Sequence, residues 1–318
     1  MNKRLAAIGI SLIAVSLLLF SIVFSSDRLK NGQNTEPYFT FTDSLGNEVT
    51  LDKKPEKVAV LFSSLCQVWK NAGGETYVTV GESIERGFCS EDVLVVDSGA
   101  GKLINNELLF SYEPDLVIYS SDVPAQKKAG ELLAKAGVPS AAIRLDSFED
   151  YLTALRLFCG ITENEENYAT HGERIKSNID YIVNRASGEK SSPKILFIRS
   201  GSSISSCKAK TAEDNFVAQM LGELGCINIA DKAPLLLDGI SAEEILAANP
   251  DFIFVSLMGN EEAGRSYVEN VFSSDAYKSL KSEIIFLEKE LYQYKPCEKW
   301  NLAYEGLAKH LYPELFRD

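Results

Sequence analysis

The chain has 318 residues, 45% of them hydrophobic and 24% charged. That balance describes a globular protein long enough for two domains and argues against wholesale disorder or a multi-span membrane protein. Asp and Glu total 45 against 32 Lys and Arg, a net charge of −13, which repels phosphate backbones and disfavours nucleic acid as a partner. The two histidines, His171 and His310, are too few for a histidine-rich Zn²⁺ or Mn²⁺ centre, so no resident metal or cofactor is expected.

Lys3-Arg4 precedes an uncharged apolar run from Leu5 to Phe24. About 20 apolar residues span a bilayer as a helix, and the basic pair marks the cytoplasmic end. A cleavable signal peptide is the competing reading, although its apolar core is usually about 7–15 residues. Residues 1–25 are therefore expected to be a signal peptide or a membrane anchor, with the remainder extracytoplasmic. Six cysteines lie in that remainder: Cys66, Cys89, Cys159, Cys207, Cys226 and Cys297. An exported chain permits disulfides, but no pair has C-x-x-C spacing and the sequence does not select a pairing.

Residues 26–36 are polar and read as a tether. Tyr38 to Leu51 holds two alternating runs around Ser-Leu-Gly-Asn, a hairpin pattern. Val58–Phe62 is a short apolar strand. Further strands are expected at 77–80, 93–96, 116–119 and 141–144, with helices near 65–72, 105–112 and 124–136. This alternation predicts βαβ units and a mostly parallel sheet across an N-terminal lobe at 37–146.

Phe148, Tyr151, Leu152, Leu155 and Phe158 fall at helical spacing, and Ile175, Ile179, Ile182 and Ala186 continue it. Residues 147–186 are expected to be a helical linker, with a break near Gly160 and a capping box at Thr162-Glu-Asn-Glu165. A second alternating region, at 187–318, follows the polar loop ending at Pro193.

The two alternating regions echo each other. Glu107-Leu-Leu-Phe-Ser-Tyr-Glu-Pro-Asp-Leu-Val-Ile118 matches Glu243-Glu-Ile-Leu-Ala-Ala-Asn-Pro-Asp-Phe-Ile-Phe254, displaced by 136 residues (Pro114 to Pro250, Asp115 to Asp251). Each reads as glutamate, helix, then a Pro-Asp stop leading into a strand. The fold expected is α/β: two similar lobes with mostly parallel sheets, joined by one long interdomain helix.

Parallel sheets bind ligands beyond the carboxyl ends of their strands, and two facing lobes create a cleft there. The strand-end segments carry Ser63, Ser64, Trp69, Arg86, Phe88, Arg199 and Met258, and the C-terminal region adds Tyr292 and Tyr294. These nine residues are the ligand-binding candidates: cations for a carboxylate-bearing ligand, aromatics for flat apolar surface. Trp300 begins the stripe Trp300, Ala303, Tyr304, Leu307, Leu311, which core packing explains. Lys208 and Lys210 fit a solvated loop.

Phe41-Thr-Asp-Ser-Leu-Gly-Asn-Glu-Val-Thr-Leu51, Pro55-Glu-Lys-Val-Ala-Val-Leu, Pro114-Asp-Leu-Val-Ile and Lys295-Pro-Cys-Glu-Lys-Trp300 leading to Leu311-Tyr-Pro313 together resemble the extracytoplasmic substrate-binding proteins of ABC importers for ferric siderophores, haem or cobalamin. The resemblance covers nearly the whole exported chain. It implies two lobes on a helix, limited hinge movement, a permease and its ATPase as partners, a small metal chelate as ligand, and a monomer. It further implies that Glu107 and Glu243 dock on the permease, although an acid in a helix's first turn also has a purely local role. The lipid-anchor cysteine common in such proteins does not follow the apolar run, so the Leu5–Phe24 helix is the anchor if uncleaved. Neither histidine falls in a cleft loop, which ranks haem behind an iron siderophore.

An enzyme is the different-class reading. No G-x-S-x-G elbow occurs, and Val96-Asp-Ser-Gly-Ala-Gly-Lys102 lacks the first glycine and the Ser/Thr of a phosphate-binding loop. A membrane-anchored ligand sensor without transport also fits the pattern, as does a cobalamin or haem binder of the same family.

Overall fold

The computed structural model describes residues 36–189 and 191–316. The expected signal or anchor segment and all but the end of the tether lie outside the described residues. Among the described residues, no helix is long and apolar enough to cross a membrane.

The chain opens with the expected hairpin, β1 (Phe39–Thr42) antiparallel to β2 (Glu48–Leu51). Gly46 supplies the positive φ of its turn. The Asp43 carboxylate accepts hydrogen bonds from Leu45 N and Asn47 N, and from Ala142 N in a strand of the first lobe. One buried acid thus shapes the turn and pins the hairpin to the sheet.

In the N-terminal lobe β3 (Val58–Val60), α1 (Ser63–Asn71), β4 (Val78–Thr79), α2 (Gly81–Glu85), β5 (Leu94–Val95), α3 (Asn106–Ser111), β6 (Leu116–Ser120), α4 (Pro124–Lys135) and β7 (Ser140–Ile143) follow in turn. The strands are parallel in the order β5-β4-β3-β6-β7. The strands of this sheet are mostly buried on both faces, which is why they read as short apolar runs.

α5 (Phe148–Thr162) begins with a capping box: Ser147 accepts from Asp150 N, and the Asp150 carboxylate accepts from Ser147 N. The expected box at Thr162–Glu165 does not form, because Thr162 still belongs to α5 and its hydroxyl donates to Ala72 O and Phe158 O. The helix does not break at Gly160 either. It ends at Glu163, which adopts left-handed φ of 59°. Gly160 serves close packing instead, since a Cβ there would sit 2.9 Å from Phe39 Cζ. A helical stretch then runs from Glu165 to Ala186, with a wider π turn at Ala169–Glu173 before α6 (Arg174–Ala186).

The C-terminal lobe contains β8 (Lys194–Ser200), β9 (Cys207–Ala209), α7 (Phe216–Glu223), β10 (Ile227–Asn228), α8 (Ala242–Ala248), β11 (Phe252–Leu257), α9 (Glu261–Phe272) and β12 (Glu283–Leu287). Its parallel order is β10-β8-β11-β12, and β9 adds an antiparallel pairing on β8. α10 (Lys289–Tyr292) and α11 (Trp300–Leu311) complete the chain.

The internal echo has a structural cause. Asp115 and Asp251 each use their carboxylate to accept the backbone N–H that starts the neighbouring strand, from Lys57 and Lys194 respectively. Each aspartate's own N–H returns a bond to that same residue's carbonyl. Glu113 and Asn249, one residue before each proline, both take left-handed φ. Proline bars helical ψ at the residue before it, so each helix stops with that turn and the following Asp clamps the strand.

A single apolar core spans the lobes. Trp69, Phe158, Phe216, Trp300 and Tyr304 belong to it, while the outer face of each sheet has its own smaller cluster. Phe148 and Phe216 meet the Trp300 ring edge-on at 5.9 and 5.5 Å. Such a shared core limits how far the lobes can separate.

Candidate functional site

The carboxyl ends of both parallel sheets face a common cleft. Its larger chamber, 590 Å³, is lined by Phe62, Ser64 and Glu82 from the N-terminal lobe, by the loops holding Lys102 and Asp122, and by Arg199, Gln293, Tyr294 and Lys295. A second chamber of 230 Å³ shares Arg199, Gln293 and Lys295 and extends to Arg144, Asp146 and Asp214. Both fall near the size range of small-molecule sites, roughly 300–1,000 Å³.

Arg199 lies near the carboxyl end of β8, facing both chambers. Its Nε atom is enclosed without a hydrogen-bond partner, and so is Gln293 Oε1 on the same wall. An enclosed donor and an enclosed acceptor left open at a cavity wall are destabilising in isolation and favourable to a polar ligand that completes them. Burial pushes the Arg199 pKa down, and Asp214 opposes the shift. An arginine guanidinium is so strongly basic that the group stays cationic at neutral pH.

Arg86 occupies a different position. Its Nη1 donates to Ser63 Oγ and Ser64 Oγ, both at 3.2 Å. The guanidinium lies 4.6 Å from the Phe88 ring centroid and 4.2 Å from that of Tyr294, and Nη2 is 3.9 Å from Glu290. With its side chain 8% exposed, Arg86 fastens the N-terminal lobe to the segment after α10. The Ser63 hydroxyl in turn donates to Glu82. The structure therefore gathers Ser63, Ser64, Arg86, Phe88 and Tyr294 into one interlobe cluster, with Ser64 and Tyr294 at the chamber wall.

Three candidates lie elsewhere. Trp69 is 2% exposed, packs edge-on against Phe158 at 5.4 Å and donates its indole N–H to Glu75 O. It is a core side chain because α1 turns it inward. Tyr292 is also buried, with its hydroxyl donated to Ala303 O. Met258 sits just beyond β11, where its N–H donates to Ser200 O, and it lines neither chamber. Both histidines are remote from the walls: His171 Nδ1 is 3.8 Å from Glu298, and His310 packs on Phe254.

Sequence reading passed over Lys102, Asp122, Asp146, Gln293 and Lys295. Lys295 donates to Asp146 at 2.9 Å across the lobes. Burial opposes ionisation of Asp146, but Lys295 and Arg144 outweigh it and hold the carboxyl below its usual range. Asp122 moves the other way, raised by burial and then by the neighbouring Asp146 charge. Only its place two residues after β6, at a strand's carboxyl end, marked Asp122 in sequence. Nothing local marked Gln293 or Asp146.

Glu107 and Glu243 are exposed and hold the second position of α3 and α8, whose N-caps are Asn105 and Ser241. Among the described residues, no cluster of three or more potential metal ligands exists.

No curated protein sequence matches the chain. Solved structures do match in fold. An ABC transporter substrate-binding protein from Listeria monocytogenes EGD-e aligns with TM-score 0.67 at 16% identity, over 82% of this chain and 100% of that one. SirA from Staphylococcus aureus, complexed with staphyloferrin B, aligns with TM-score 0.64 at 15% identity over 87% and 98%. S. aureus IsdE, complexed with heme, gives TM-score 0.63 at 15% identity over 82% and 99%. The periplasmic binding protein family model matches residues 58–282, from β3 to the threshold of β12. With most of its length matched and two α/β lobes joined through helices, the chain belongs to the periplasmic binding protein family.

Proposed function

We propose that this chain is the substrate-binding component of an ABC importer and that it captures an anionic ferric siderophore between its lobes. The observation that carries this reading is the cleft wall where the Arg199 Nε donor and the Gln293 Oε1 acceptor stand enclosed and unpartnered. A guanidinium fork suits the carboxylate or phenolate oxygens of such a chelate, and Lys102 and Lys295 add positive charge at the rim. Tyr294 and Phe62 offer apolar surface beside them. The siderophore in SirA and the heme in IsdE fit a chelate ligand for the fold. Between the two, an iron siderophore is favoured here because neither histidine nor Met258 reaches the chamber walls.

The mechanism is capture without bond chemistry: the ligand enters from the open edge, completes the polar groups, and the lobes close slightly around it. Extracytoplasmic residence accords with the family, and Glu107 and Glu243 are the proposed contacts with the permease. The test is a fluorescence-quenching panel of ferric catecholate, hydroxamate and carboxylate siderophores, with haem and cobalamin alongside. Saturable binding of an anionic ferric siderophore is the expected result. Binding confined to haem or cobalamin refutes the substrate class, and silence toward the entire panel refutes a metal-chelate ligand.

A further inference from the structure

Among the described residues, one pair of cysteines is in sulfur–sulfur contact. Cys66 Sγ lies 3.0 Å from Cys89 Sγ, with Thr76 Oγ1 3.5 Å from Cys66. The other four cysteines have no thiol neighbour of this kind. We propose that Cys66 and Cys89 are a redox site, closing to a disulfide that braces the Arg86 side of the cleft.

Local structure aims the two thiols at each other. Cys66 sits in the first turns of α1, fully buried. Gly87, with φ of +70°, reverses the chain after α2, and Phe88 N and Cys89 N both donate back to Ser83 O. That turn returns Cys89 to the flank of α1, where its sulfur stands 3.0 Å from that of Cys66, against the ~2.05 Å of a covalent bond. The bond would tie the helix that carries Ser63 and Ser64 to the loop that carries Arg86.

Access and acidity suit the exchange. Cys89 lines an open surface groove of 440 Å³ with Lys70, Thr76 and Phe88, so an external oxidant can reach it while Cys66 stays covered. The hydrogen bond from Cys89 outweighs burial and brings the Cys66 thiol down to about 7, whereas the same contact and burial raise Cys89. The pair thus releases one proton near neutrality and retains the other.

The oxidant required is a disulfide donor. Cys89 passes its proton to the Cys66 thiolate across the 3.0 Å contact, attacks one donor sulfur and expels the other as a thiolate, which takes that proton from Cys66. The Cys66 thiolate then attacks the Cys89 sulfur of that mixed disulfide and expels the second donor thiolate. Two electrons pass to the donor, which leaves as two thiols carrying both protons. The inference goes beyond the proposed transport role and does not depend on the ligand.

The experiment treats the folded full-length chain with oxidised glutathione, then unfolds, alkylates and maps it. A Cys66–Cys89 cross-linked peptide, two fewer alkylated cysteines of the six, and reversal by dithiothreitol are expected. Retention of both thiols under excess oxidant overturns the proposal, as does Cys89 capped by glutathione with Cys66 left free. Oxidation should raise the melting temperature of the native chain, and this rise should vanish in Cys89→Ser. A rise that survives in Cys89→Ser also overturns it.

Discussion

Arg86 and Arg199 look alike in sequence, each a cation beside a strand end, and only their partners separate them. Arg86 engages two serine hydroxyls, two rings and Glu290, although its own Nε is also enclosed without a partner, so it holds the lobes together. Arg199 shares the enclosed, unbonded Nε but lines both chambers, where Arg86 lines neither. Such a group costs stability until a ligand satisfies it, and a hydrogen bond to a charged group contributes about 1.5–3 kcal/mol. Arg199→Ala is therefore expected to weaken binding of an anionic ferric siderophore by roughly tenfold or more, equivalent to at least ~1.4 kcal/mol. Its melting temperature should be unchanged or higher, because an unsatisfied buried donor has gone. Isothermal titration and thermal melts on the same samples check both halves, and a variant that binds normally but melts early reverses the assignment.

Helix α5 shows propensity yielding to packing. A glycine within a helical pattern suggests a break, and replacing Gly160, in the last turn of α5, with alanine should gain at most ~1 kcal/mol on propensity alone. Here a Cβ at Gly160 would meet the Phe39 ring at 2.9 Å for Cζ and 3.0 Å for Cε2. Overpacking of that kind costs about 1–3 kcal/mol. Gly160→Ala is expected to lower stability in urea unfolding, with the loss relieved in Phe39→Leu. A more stable Gly160→Ala would mean that the hairpin is free to yield. The actual stop at Glu163 was hidden because a left-handed glutamate carries no compositional mark. Thr162 likewise offered a capping pattern that its bonds to Ala72 O and Phe158 O had already consumed.

The repeat reaches the scale of the molecule through Glu107 and Glu243. Both are exposed in the first turn of equivalent helices, one per lobe, where each contributes only about 0.3–1 kcal/mol through the helix dipole. Their loss should leave folding and ligand capture nearly intact. The double variant Glu107→Lys, Glu243→Lys is expected to abolish cellular uptake while ligand affinity stays within about twofold. Uptake at the native rate would remove the docking role of these two acids. A normal melt in the double variant separates that outcome from misfolding.

Patterns of short range were legible before any fold was in view: apolar strand runs, helical stripes from Phe148 to Ala186, and the twice-used Glu-helix-Pro-Asp unit. They sufficed for two parallel α/β lobes on a helix because each rests on local sterics and periodicity. The hairpin, too, was legible in its alternation and turn. Which side chains share the cleft was not, since Arg199, Gln293, Tyr294 and Lys295 converge only when two sheets and the segment after α10 are assembled. Trp69 and Tyr292 have the chemistry of ligand contacts, yet the faces they occupy turn inward. The sequence supplies six cysteines without a pairing, and tertiary proximity alone selected Cys66 and Cys89, because the turn at Gly87 decides which sulfurs meet.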